Sequence, residues 1–174
     1  MWHTGIAIEH LIKELGATHL VGVDVSAKSL EVARSLYGSD RVRLALLDQH
    51  NPEQDIDLVF CSGVFHHIPP NERPEAVGHV FQSLSPGGLF ALWENNPWNP
   101  IRFSMSRAEI DREAIPIFPS EAERLVVQGR FKLINTTFRF LFPRVLKSMR
   151  IIEPYICRLP LGAAYLVLAK KPLI

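Results

Sequence analysis

Three clusters in this 174-residue chain carry residue types at spacings that could do chemistry. The first is Leu20-Val21-Gly22-Val23-Asp24-Val25-Ser26, an apolar run that ends on a carboxylate and leads into a residue suited to start a helix. An acidic side chain at the carboxyl end of a parallel strand can accept hydrogen bonds from both hydroxyls of a ribose. In dinucleotide-binding units it stands about twenty residues after a glycine turn. Gly5 precedes Asp24 by nineteen residues. Asp24 could instead cap the next helix, but Ser26 already offers that cap. Asp48 follows a further apolar run and stands ahead of Asn51-Pro52, where it can serve as a turn residue or meet a ligand at the strand end.

The second cluster is Cys61-Ser62-Gly63-Val64-Phe65-His66-His67. Imidazole is the side chain whose ordinary pKa lets it take a proton near neutrality, so His66 or His67 could deprotonate a hydroxyl or amine nucleophile. The alternative is that they hold their loop by hydrogen bonding or line a pocket. A metal is not expected: adjacent histidines project differently and no third ligand has suitable local spacing, with His79 and Glu94 the distant candidates. Cys61 and Ser62 end an apolar run where the backbone can line a cofactor pocket. The third cluster, Glu94-Asn95-Asn96, emerges from another apolar run into a Pro-flanked loop near residues 95–117, and is the candidate for substrate contact.

These positions need a scaffold of alternating strands and helices, and the periodicity supplies one. Ile6 to Leu15 carries apolar residues at helical spacing and Gly16 follows as a stop. A helix is expected between Ser26 and Gly38, then strands over Val42–Leu46 and Ile56–Cys61. A helix over Pro74–Leu84 meets a tight break at Ser85-Pro86-Gly87-Gly88 before the buried strand Leu89–Glu94. Ser120 and Glu123 form a capping box for a helix through Val127. Phe131–Phe140 and Ala163–Lys170 read as closing strands, with a basic amphipathic lid or helical insertion near 142–162. The order argues for one α/β domain over residues 1–174, with a mainly parallel sheet and ligands beyond the carboxyl ends of its strands.

Composition narrows the function. At 47% hydrophobic residues, the chain can bury a sizeable core. It carries no apolar run long enough to span a bilayer and no signal pattern, so a cytoplasmic protein is expected. Its two cysteines match no disulfide or metal framework. Residues 1–100 hold six Lys/Arg against twelve Asp/Glu, and residues 101–174 hold thirteen against six. The basic residues are spread singly, which argues against a nucleic-acid partner.

The motifs, in order, resemble the class I S-adenosylmethionine-dependent methyltransferases, in particular those acting on small molecules. His3-Thr4-Gly5 looks like the tail of that family's glycine-rich turn, Val23-Asp24-Val25-Ser26 like its acidic strand end and Leu47-Asp48 like its adenine-side acid. Cys61 through Ile68 resembles the motif after the fourth strand, and Leu84-Ser85-Pro86-Gly87-Gly88 the turn before the fifth. The resemblance implies a Rossmann-like three-layer sandwich with an antiparallel C-terminal strand. It implies S-adenosylmethionine as cofactor, held by Gly5, Asp24, Val25, Asp48, Gln49, Cys61 and Ser62, and a small-molecule methyl acceptor, to which the basic lid adds the expectation of an apolar or anionic, lipid-like substrate. The family's first strand and first two glycines have no counterpart here, so an N-terminally truncated domain is expected. The competing expectations are an NAD(P)-dependent oxidoreductase of similar architecture, against which stands the lack of a Tyr-x-x-x-Lys pair, and a non-catalytic interaction domain or fragment.

Overall fold

The computed structural model describes residues 6–52, 54–99, 114–142 and 144–173. The chain divides into two compact units, Met1–Asn51 and Pro52–Ile174. In the first, helix α1 (Ile6–Lys13) is followed by strand β1 (Leu20–Asp24), helix α2 (Ala27–Tyr37) and strand β2 (Val42–Leu46). α1 ends two residues before Leu15, and Gly16 turns the chain at a φ of 68°. Ser26 caps α2 as its sequence suggests: its Oγ accepts the Ser29 N–H at 3.2 Å. Leu30 and Ala33 form the buried stripe of α2, and the Arg34 guanidinium donates to the Leu44 carbonyl at 2.9 Å, tying the helix to β2. β1 and β2 are parallel, with Leu20 opposite Val42 and Asp24 opposite Leu46. A short 3₁₀ turn, Leu47–Gln49, follows β2, so Asp24 and Asp48 both stand at the carboxyl end of this strand pair.

The second unit is built on a four-stranded sheet. Its strands are β3 (Ile56–Ser62), β4 (Leu84–Asn95), β5 (Lys132–Arg139) and β6 (Ala164–Lys170), in the order β3-β4-β6-β5. β3 and β4 are parallel, while β6 lies between β4 and β5 and runs against both. Three of the four strands therefore share a direction, and the antiparallel one is the C-terminal strand. Helices α3 (Arg73–Ser83) and α4 (Pro119–Gln128) contribute Val77, Val80, Ala122, Leu125 and Val126 to the core. These join Phe90 and Leu92 of β4, Phe138 of β5 and Tyr165 and Val167 of β6.

Two local expectations are replaced in the fold. The Ser85-Pro86-Gly87-Gly88 break does not precede β4 but lies inside it as a bulge, with the pairing stepping from Ile56↔Leu84 to Leu58↔Leu89. Gly87, at a φ of 82°, donates to the Lys171 carbonyl, and Lys171 N–H donates back to Gly88, so the end of β6 completes the ladder across the turn. The Ser120/Glu123 capping box does not form. Pro119, whose fixed φ and missing N–H suit the first helical position, starts α4 with Phe118 as the cap and no side-chain cap bond.

The lid expected near 142–162 contains a 3₁₀ segment, Arg144–Ile152, kinked at Leu146 and continuing into helix α5 (Glu153–Ile156). Most of the loop expected near 95–117 falls on residues 100–113, outside the described residues. Its first part is held firmly: Asn96 donates through Nδ2 to the Pro160 and Gly162 carbonyls at 3.0 and 2.8 Å, and Asn99 donates to Leu161 at 2.7 Å. The backbone at Gly162 packs so closely on Arg139 that a Cβ would collide with its carbonyl oxygen and amide nitrogen. Gly162→Ala is expected to cost about 2 kcal/mol and lower Tm by roughly 4–8 °C in a calorimetric melt. An unchanged Tm would show that the approach is not as close as described.

Candidate functional site

In the first unit, Asp24 closes β1 with its carboxylate half-buried. Oδ1 accepts the Ser26 N–H at 2.8 Å, a local turn that orients the carboxylate while Ser26 does the helix capping. Val25 beyond it is 80% exposed. Asp48 and Gln49 are exposed in the 3₁₀ turn after β2. Asp24 and Asp48 thus stand at the same end of adjacent parallel strands, Asp24 within the final pair Asp24↔Leu46 and Asp48 two residues beyond Leu46. Gly5 lies outside the described residues.

In the second unit the chemistry gathers at the carboxyl ends of β3 and β4. Ser62 is exposed at the end of β3, paired with Trp93, and the chain turns at Gly63 with a φ of 63°. The following 3₁₀ turn, Phe65–His67, carries both histidines. Glu94, 1% exposed, reaches this turn from β4 and accepts the Phe65 N–H at 2.8 Å through Oε1. Its Oε2 lies 2.6 Å from Nδ1 of the buried His66. A carboxylate in that position accepts the Nδ1 proton, so the tautomer it favours leaves the Nε2 lone pair as the available base. His67 is exposed, and its ring centroid is 4.1 Å from that of His66.

The structure thus joins two residues assigned separately from the sequence, His66 and Glu94. Glu94 is a partner of the imidazole and of the loop backbone, and its side chain is buried. Asn96, fully buried, spends its amide on the Pro160 and Gly162 carbonyls and its Oδ1 on the Trp98 N–H at 3.1 Å. Asn95 is half-buried at the end of β4. Cys61 is partly exposed as a residue, but its thiol is desolvated, and burial followed by the charge of Glu94 pushes its pKa up to about 12. Among the described residues, no three of His, Cys, Asp and Glu converge in a way that could hold a metal ion.

Sequence reasoning missed Arg73. Its guanidinium is 1% exposed, donates to the Phe65 and Ile68 carbonyls at 3.2 and 3.1 Å, and to the Ile115 carbonyl at 2.6 Å. It also pairs with Glu121 of α4 at 2.6 Å. The histidine turn is therefore gripped on its N–H side by Glu94 and on its carbonyl side by Arg73, and Ile115 N–H adds a bond to His66 O at 2.8 Å. The available signal was that Arg73 is the sole Lys or Arg between residues 51 and 100.

Comparison with known proteins bears on what these units belong to. The chain matches the methyltransferase domain family over residues 3–90. It is 29% identical over 105 residues to trans-aconitate 2-methyltransferase of Rhizobium leguminosarum bv. trifolii, covering 60% of this chain and 40% of that protein. It is 23% identical over 146 residues to carboxy-S-adenosyl-L-methionine synthase of Campylobacter lari, covering 70% of this chain and 62% of that one. The chain therefore spans less than two thirds of the length of either curated relative. Among solved structures, a SAM-dependent methyltransferase from Archaeoglobus fulgidus superposes with a TM-score of 0.74 at 17% identity, over 97% of this chain and 82% of the other. That likeness establishes the Rossmann-like α/β fold. With half of its residues matched to the family, the chain belongs to the class I methyltransferases, whose cofactor is S-adenosylmethionine.

Proposed function

We propose that this chain transfers a methyl group from S-adenosylmethionine to an oxygen, nitrogen or carbon atom of a small molecule of apolar or lipid-like character, in the cytoplasm. The observation that carries the reading is Asp24, a half-buried carboxylate at the carboxyl end of a parallel strand within the residues matched to the family. The donor chemistry of the cofactor fits what the first unit offers. Oδ1 of Asp24 is steadied by Ser26 and Oδ2 remains to accept a ribose hydroxyl. Asp48 and Gln49, exposed after the next strand, would accept from the adenine amino group, and Val25 would offer the base apolar surface. Gly5 is assigned to the methionine end of the cofactor, and the Cys61 and Ser62 backbone to the pocket wall.

Bound S-adenosylmethionine supplies a methyl on a sulfonium with a good neutral leaving group, so positioning carries much of the work. His66 would accept the acceptor's proton at Nε2, while Glu94 accepts the Nδ1 proton and holds the ring in its plane. His67 stands beside it as the exposed alternative. Of the residues assigned to substrate, Asn95 would make direct contact, whereas Glu94 and Asn96 would act through the loops they hold.

Calorimetric titration with S-adenosylhomocysteine should give saturable binding, none with NAD, and a loss of about tenfold or more in a folded Asp24→Asn variant. A folded chain that ignores S-adenosylhomocysteine would overturn the cofactor assignment. Glu94→Gln places an amide donor against Nδ1 and should shift the His66 proton to Nε2, read in the imidazole nitrogen shifts by NMR. Glu94→Ala leaves two buried donors unmet and should cost roughly 2–4 kcal/mol in urea unfolding. Because thiolate is the reactive form, Cys61 should resist iodoacetamide at pH 8 until the chain is unfolded. The fold favours the neutral thiol, so this contribution is complete below the ordinary value of 9.0 and is lost as pH climbs towards about 12. Cys61→Ala should flatten the alkaline decline in stability.

A further inference from the structure

The segment from the Leu146 kink to Leu161 gathers several exposed apolar side chains along a short stretch of chain. Ile151 is 79% exposed, Tyr155 88%, Leu159 47%, and Met149 and Ile152 41% each. In a 3₁₀ segment, side chains three apart eclipse, so Met149 and Ile152 share a face that leads towards Tyr155 of α5, and Ile151 extends it on the neighbouring face. Lys147, Arg150 and Arg158 are exposed among them. The one acid in the segment, Glu153, is buried, and its Oε1 accepts the Phe142 N–H at 3.1 Å, so it does not offset those cations at the surface. Arg150 donates to the Phe142 carbonyl at 3.3 and 3.2 Å and lies over the Phe140 ring. The segment is thereby pinned to the end of β5 in its helical form before any partner arrives.

We propose that this basic, apolar face docks on an anionic lipid bilayer. Exposed aliphatic side chains with a tyrosine, set among Lys and Arg on a short helical element, are the chemistry of interfacial binding. The cations select a negatively charged leaflet, and the apolar row enters the headgroup region. An uncompensated positive charge disfavours a second copy of the same face, which would set like charges together. No helix among the described residues is long and apolar enough to cross a membrane, and the proposed contact is through this surface face. It holds whether or not the chain transfers methyl groups.

The test is vesicle flotation with the 174-residue chain, on phosphatidylcholine vesicles with and without phosphatidylglycerol. Binding should be about tenfold or more tighter to the anionic vesicles and weaken with added salt. It should be lost in Ile151→Ser/Tyr155→Ser and in Lys147→Glu/Arg158→Glu. It should survive in Ile134→Ser, which removes an exposed aliphatic from β5 instead. All variants alter exposed residues, and cooperative melts would verify their folding. Failure to float, equal binding to neutral vesicles, or undiminished binding by either double variant would overturn the proposal. So would sedimentation showing a dimer that the Ile151→Ser/Tyr155→Ser variant abolishes.

Discussion

The second unit turns on one buried carboxylate. Glu94 sits near the end of β4 with both oxygens engaged, one on a backbone N–H and one on an imidazole of the turn after β3. A carboxylate so placed is costly to desolvate unless both oxygens are met. Satisfying them fixes the turn, because only one path of Phe65 and His66 brings a main-chain donor and a ring nitrogen to the same group. The strand's buried neighbours, Phe90 and Leu92, hold the carboxylate at its depth. Sheet register and the orientation of the candidate base are therefore one constraint.

Arg73 is the counterpart. It is drawn into the core by four oxygen acceptors, three of them backbone carbonyls from two separate segments, and the fourth is the carboxylate of Glu121. A fully desolvated guanidinium needs that number of partners, and its planar fork can address several at fixed angles. The arrangement ties the histidine turn, the residues before α4 and α4 itself to the start of α3. Rigid elements thus surround the candidate base, the condition under which positioning assists a reaction.

The first unit is organised differently. Its two carboxylates are not buried in a network: Asp24 is steadied by one local N–H and Asp48 is exposed. Both follow from chain direction alone, since a parallel pair joined through a helix brings the ends of β1 and β2 to one side. Acceptors that stay accessible suit a ligand carrying hydroxyl and amino donors. Acceptors that are consumed internally, as in Glu94 and Asn96, suit the holding of loops.

Local signals in the sequence determined the elements. Helical spacing located α1 and α2, Ser26 capped α2, and the apolar runs located all six strands to within a residue or two at most ends, because burial imposes its period on neighbouring residues. The acid at the end of β1 was legible for the same reason: strand end and carboxylate are adjacent in the chain. What the sequence could not decide was pairing over distance. The union of His66 with Glu94 spans 28 residues, that of Arg73 with Glu121 spans 48, and that of Asn96 with Gly162 spans 66. Tertiary contact also overrode two local rules. The Gly87-Gly88 turn became a bulge because β6 supplied its hydrogen bonds, and Glu94, which reads as a loop-end acid able to meet a ligand, was turned inward to donors brought by β3. A side chain's type sets what it can bond to, and only the packed sheet sets which partners come within reach.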